Sequence, residues 1–157
     1  MNPISSWDGK LTVHDALLLG HDEARADFVR ATAQGGRVAK AGKRLAQLCL
    51  PHFEHEEEIV FPFVALLPDL ERGNLRREMM DDMPLISDFR AMHDALREHH
   101  QTIASAIEDF LQAAHREKSR EFAEFAHNLM AHERIEDEVI YPRAVLVGKF
   151  LRETRVN

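Results

Sequence analysis

Apolar residues recur at steps of three and four along four stretches of the chain, and none of them sustains a period of two. The first stretch carries Leu11, Leu17, Leu18, Phe28 and Val29. The second carries Leu45, Leu48, Cys49, Phe53, Ile59, Val60 and Phe63. The third carries Phe89, Leu96, Ile103, Ile107, Phe110 and Leu111, and the fourth Phe122, Phe125, Leu129, Val139 and Ile140. Breaks fall between them, at Gly35-Gly36, across Pro68 to Pro84 with Gly73-Asn74 inside it, and at the charged run Arg116 to Ser119. The pattern predicts four amphipathic helices, over 8–33, 37–66, 84–115 and 119–147. Short connections make the first and second helices antiparallel neighbours, and likewise the third and fourth. The expected architecture is all-α, an up-down-up-down four-helix bundle. It forms one domain over 1–157, made of two helical hairpins at about 8–66 and 84–147. Met79 and Met80 fall where the long middle connection has room for a short extra helix.

Composition narrows the function classes. The chain of 157 residues carries 20 Lys+Arg against 27 Asp+Glu, a formal charge of −7, which disfavours nucleic acid as a partner. Cys49 stands alone, so neither an internal disulfide nor a cysteine zinc knuckle is available. The longest nearly uncharged apolar run, Ile59 to Leu67, is far short of the ~20 residues needed to cross a bilayer. The first residues lack the basic start and apolar core of a signal peptide, so a cytoplasmic location is expected. Composition and patterning specify no oligomer. The anomaly is histidine: there are ten, spread along the chain with no tract to explain them.

The histidines belong to a repeat. His14-Asp15-Ala16-Leu17 recurs as His93-Asp94-Ala95-Leu96, and His21 recurs as His100, both offset by 79. The segment from His52 to Pro62 recurs from His132 to Pro142, offset by 80. A repeat kept for packing alone would match apolar positions preferentially. This one also matches His, Glu and an aromatic-Pro pair.

Spacing then says where the polar groups point. Residues four apart on a helix stand nearly above one another. His52 and Glu56 are such a pair, and so are His132 and Glu136, and both pairs occupy slots in the apolar stripes. A single His–Glu pair is most often a surface ion pair. Two pairs at matched core positions are a different matter, because a buried carboxylate costs several kcal/mol unless it is compensated. A cation between the two glutamates meets that need, and neutral imidazole completes its shell. His21 and His100 fall level with His52 and His132 in the expected hairpins and are candidate ligands. His14 and His93 lie about 10 Å farther along the axis, as extra ligands or as partners behind the ligands. His55, His99, His115 and His127 lie off the stripes. Glu57, Glu58, Glu133, Asp137 and Glu138 read mainly as a solvated acidic face, with Asp137 the alternative to Glu136 as a ligand. Phe61 and Tyr141 turn away from the metal-facing side by the 100° rule, while Pro62 and Pro142 bend or end their helices.

A helix-one His, then His-x-x-x-Glu followed by an aromatic-Pro pair, then a second copy of both, resembles the hemerythrin-like HHE cation-binding domain. The resemblance covers about residues 8–147. It implies a four-helix bundle around a non-haem di-iron centre, with His21, His52, Glu56, His100, His132 and Glu136 as ligands. It also implies members that bind or sense oxygen, handle iron, or respond to nitric oxide or peroxide. The sequence departs from the oxygen carriers, which have two histidines four apart on the third helix; here Arg97 follows His93 and Ala104 follows His100 at that spacing.

Three functions are therefore in play. The first is a protein with two iron ions, manganese or zinc being the alternatives, that binds or reacts with O2, NO or peroxide. The second is an iron- or oxygen-responsive regulatory module without turnover. The third is a metal-free helical interaction domain.

Overall fold

The computed structural model describes residues 12–156, and every regular element among them is helical. In chain order these are α1 (Val13–Ala33), α2 (Gly36–Ile59), α3 (Phe61–Ala65), α4 (Leu67–Glu71), α5 (Arg77–Asp81), α6 (Phe89–Arg116), α7 (Arg120–Ile135), a π turn (Glu136–Ile140) and α8 (Tyr141–Val156). The expected short helix around Met79 and Met80 is α5.

The ends of the long helices differ from the periodic reading, for local reasons. Residues 8–11, with Leu11 and the start of the chain, lie outside the described residues. Thr12 is not helical; its hydroxyl accepts from the Asp15 N–H while the Asp15 carboxylate accepts from the Thr12 N–H. That reciprocal box satisfies two orphan donors and fixes the start of α1. Likewise α6 begins at Phe89 rather than at 84, because the Asp88 carboxylate accepts from the Ala91 N–H. The second stretch stops at Ile59 and restarts as α3, and the fourth is interrupted by the π turn. In both, a proline (Pro62, Pro142) follows the break by one residue of the new helix, where it withholds an N–H from the preceding turn. The fourth stretch also runs on to Val156 instead of ending at 147.

The hairpin turns lock to each other at one end of the molecule. Gly35 and Gly36 take positive φ, as the tight α1–α2 turn requires. Glu117, from the α6–α7 turn, places one carboxylate oxygen 2.6 Å from the Arg37 N–H and 3.3 Å from that of Val38. An anion there satisfies the first donors of α2 and complements its dipole.

α2 packs against α1 and α6, α6 against α7, and α7 against α1, while α8 packs on α3 and α6. Two apolar clusters result. One, toward the hairpin turns, includes Phe28, Leu45, Cys49, Ile107, Phe110, Phe122 and Phe125. The other includes Leu17, Phe61, Phe63, Phe89, Leu96, Tyr141 and Leu151. Val29, expected on an apolar face, is 70% exposed, and Val139 lies exposed on the π turn, so neither joins the core.

Gly148 shows why the C-terminal extension is packed. It lies within α8, and a Cβ there would overlap the ring of Phe89 at the start of α6. Gly148→Ala is therefore expected to destabilise the protein by roughly 1–3 kcal/mol through overpacking, outweighing the helix-propensity gain of up to ~1 kcal/mol. Urea unfolding midpoints of the two proteins measure this; an alanine variant as stable as the parent would contradict it.

Candidate metal centre

Between the two apolar clusters lies a layer of buried polar side chains: His21, His52, Glu56, His100, Glu133 and Glu136, with His132 half-buried beside them. Six of these form two ligand groups. His52, Glu56, His100 and Glu136 present one ligand atom each within 4.8 Å of one another, and so do His21, His132 and Glu136. All six residues expected from spacing and repeat are thus brought together, with Glu136 in both groups and Asp137 in neither.

The distances suit ligands around a common ion. His52 Nε2 lies 3.0 Å from Glu56 Oε1, His132 Nε2 3.4 Å from Glu136 Oε2, and His100 Nε2 3.5 Å from Glu136 Oε1. His21 Nε2 lies 3.8 Å from Glu56 and 3.7 Å from Glu136, standing between the two carboxylates. Two atoms each about 2.1 Å from one metal ion are roughly 3–4 Å apart for angles of about 90–140°.

The outward ring nitrogens are held. His21 Nδ1–H donates to Glu57 Oε1 at 3.1 Å, and His100 Nδ1–H donates to Asp137 Oδ1 at 2.9 Å. Arg25 in turn donates to Glu57 at 2.8 Å, and the guanidinium beside it holds that carboxyl below its usual range despite partial burial. These bonds fix the tautomer and leave each Nε2 lone pair directed into the layer. Glu57 and Asp137 occupy equivalent positions in the repeat. They are therefore not simply a solvated acidic face, as spacing alone suggests; they orient the His21 and His100 rings.

Three further residues enter that spacing had turned outward, the first being Phe61, whose buried ring stacks on His21 at 5.0 Å. Tyr141 is fully buried, and its hydroxyl lies 2.8 Å from Glu56 Oε2, 2.9 Å from His100 Nε2 and 3.3 Å from His52 Nε2. On an unbroken α-helix, nine residues after His132 would put it about 180° away. The π turn absorbs one extra residue, which returns the phenol to about 80°. Glu133 is also buried, with Oε2 3.5 Å from His100 Nε2 and neither oxygen hydrogen-bonded. A signal for it existed: Leu129, Glu133, Glu136 and Ile140 continue the stripe at steps of four, three and four.

His14 and His93 are not brought into either ligand group. His14 sits edge-on to Phe61, with ring centroids 6.1 Å apart, and His93 edge-on to Tyr141 at 5.8 Å. They buttress the rings that stack on His21 and His100. His55, His99, His115 and His127 are exposed, as expected. Two cavities reach the layer. One of about 420 Å³ between α2 and α6 has His52, His55 and His99 in its wall; one of about 140 Å³ between α1 and α7 has Gly20, Phe53 and His132.

The residues fit a cation on their own chemistry. Seven buried ring or carboxylate atoms of the six ligand-type residues and Glu133 that face the layer lack a hydrogen-bond partner: His21 Nε2, His132 Nε2, Glu56 Oε1 and both oxygens of Glu133 and Glu136. Tyr141 has one proton for three acceptors. Burial and the neighbouring Glu56 charge push Glu136 well above the usual carboxylate range, and burial pushes Glu133 up to about 9. Burial also opposes ionisation of Glu56, yet the neighbouring Glu136 carboxyl and His52 ring hold it below its ordinary value, so charge falls on Glu56 in preference to Glu136. Burial lowers His21 and His100, and pushes His132 down to about 4. Neutral imidazoles and carboxylates kept protonated only for want of positive charge are what a metal ion converts to ligands.

The family described as the hemerythrin HHE cation binding domain matches residues 12–144. No curated protein and no solved structure matches the chain.

A pH dependence follows for the metal-free protein. Raised carboxyl groups contribute stability that is present below their ordinary value and is lost as pH rises through the folded one. The lowered histidines act oppositely, but only below their ordinary value of about 6.5. Between pH 7 and 8.5 the carboxyl groups dominate, each at about 1.4 kcal/mol per pH unit. Calorimetric melting of chelated protein should show a midpoint falling over that window, and Glu133→Gln should flatten the fall. A midpoint that rises with pH there would contradict the assignment.

Proposed function

The chain belongs to the hemerythrin HHE cation-binding domain family, and from that premise we propose that its buried layer holds a pair of iron ions that meet a small oxidant or diatomic ligand: O2, NO or peroxide. The observation that carries this reading is the pair of ligand groups sharing Glu136, with His21 Nε2 of one group 3.8 Å from Glu56 of the other. Four imidazoles and two carboxylates are a nitrogen–oxygen set, which suits iron better than a closed tetrahedral zinc site. The ring of contacts among α1, α2, α6 and α7 supports an up-down-up-down bundle as the frame that presents those ligands from four directions.

His52, His100, His21, His132, Glu56 and Glu136 would hold the ions. Bound there, a ferrous pair supplies two electrons to a small ligand. The protein's own part is to orient, to exclude water and to hold protons. Glu57 and Asp137 keep the His21 and His100 rings turned inward. Phe53 and Phe61 stack on His21 at 4.0 and 5.0 Å and keep that side apolar. The Tyr141 hydroxyl holds a proton 2.8 Å from Glu56 Oε2, within reach of whatever binds beside His52 and His100. The 140 Å³ cavity at His132 is large enough for a diatomic molecule.

Anaerobic iron loading followed by elemental analysis is expected to give two iron ions per chain. Glu136→Ala should leave fewer than one, because both groups lose a ligand. Chelation should lower the melting midpoint, since an ion present at about 100 times its dissociation constant stabilises by about 2.7 kcal/mol. Fewer than one ion in the parent protein would sink the reading. An absorption spectrum of the ferrous form unmoved by O2, NO and peroxide would remove its ligand half and favour a metal-responsive module.

A further inference from the structure

The repeat lays the two metal positions side by side for comparison, and they are not equivalent. His52 corresponds to His132 and His100 to His21, so each half supplies one histidine to each position, in mirrored roles. The aromatic residue after each break stacks on the matching histidine in the same way. Phe61 lies on His21 at 5.0 Å and 30°, and Tyr141 lies on His100 at 5.2 Å and 29°. His14 and His93 back these rings edge-on at matching distances. Against this agreement, two positions differ in chemistry. Phe61 is matched by Tyr141, and Phe53 is matched by Glu133. Both polar members fall beside His100, and both apolar members beside His21.

Phe53 does what a core aromatic should, stacking on His21 at 4.0 Å. Glu133 does nothing comparable. It is 6% exposed, and neither oxygen has a hydrogen-bond partner. No Lys or Arg among the described residues pairs with it; the group facing it is the His100 ring, whose Nε2 is 3.5 Å from Oε2 and is itself aimed at the ligand group. A carboxylate with two empty acceptors in a core costs free energy unless something positive meets it.

We propose that Glu133 is an additional ligand to the ion held by His52 and His100, so that this position binds metal more tightly and fills first. The inference rests on the two-ion reading above. The His52/His100 position then has Glu133 as a further carboxylate beside Glu56 and the shared Glu136. The His21/His132 position has only Glu136, and Phe53 and Phe61 stack on its His21. Extra negative charge and one more oxygen donor strengthen cation binding at the first position and leave the second with fewer protein ligands.

The test is a calorimetric titration of metal-free full-length protein with Co²⁺, with visible absorption recorded at each step. The parent protein should take up two ions in two steps separated by at least about tenfold in affinity. His52→Ala should remove the tighter step and His21→Ala the weaker. Glu133→Gln keeps the shape and removes the charge; it should weaken the tighter step at least about tenfold and change its cobalt spectrum, leaving the weaker step in place. Phe53→Glu places a carboxylate at the matching site in the other half and should tighten the weaker step by a similar factor. That variant decides the question should Glu133→Gln fail to fold. Two steps of equal affinity in the parent, or a tighter step and spectrum unmoved by Glu133→Gln, would overturn the role of Glu133 while leaving the metal pair standing. No cobalt bound by the parent would overturn the metal pair itself.

Discussion

Three buried glutamates in one layer are the constraint on which the rest of the structure depends. Glu56, Glu133 and Glu136 are each nearly inaccessible, and they lie within a chain that offers no buried Lys or Arg to meet them among the described residues. Carboxylates cannot ionise together in such a place without positive charge between them. The folded protein answers with four imidazoles from four helical segments, each bringing a nitrogen to the same layer. Two apolar clusters close it above and below. The arrangement forgoes stability in the metal-free state to be ready for a cation, and this is the usual relation between a preformed site and its folding free energy.

Outside the layer, the supporting bonds grade from buried to wet. His21 leans on Glu57, and Glu57 on Arg25, which also reaches the exposed Asp22. His100 leans on Asp137, where the matching second bond to a guanidinium is replaced by partial exposure to water. The chain of bonds from ring to surface therefore runs through a guanidinium to an exposed carboxylate on one side and stops at the partly exposed Asp137 on the other. Even the scaffolding around the two histidines is not the same in the two halves.

Most of the site could be read from residue spacing, because metal ligands on helices obey the same three- and four-residue steps as core residues. His52–Glu56 and His132–Glu136 stood in apolar stripes, and the repeat picked out His21 and His100. What escaped had physical causes. Tyr141 was hidden by the π turn, since the rule of 100° per residue fails once a turn takes in an extra residue. Glu133 was grouped with its acidic neighbours although its stripe position matched Phe53. Glu57 and Asp137 border the stripe, and which half-exposed carboxylates reach a ring nitrogen depends on side-chain reach, not on periodicity. Among the elements, the long helices were legible and their ends were not. Thr12 and Asp88 set two starts by capping, and Gly148, which resembles a helix stop, is the gap that admits Phe89.

The repeat shared by the two hairpins has an evolutionary reading. A site with the same geometry could be assembled from two separate copies of one hairpin related by a two-fold axis. In such a homodimer every residue appears twice, so a glutamate at the place of Glu133 would face both ligand groups, or neither. A tyrosine at the place of Tyr141 would do the same. Joining the hairpins in one chain breaks that identity, because each copy can then mutate alone. The difference between Phe53 and Glu133 is thus something that a symmetric homodimer cannot hold, and the connection through α4 and α5 is what joins the two halves in one chain.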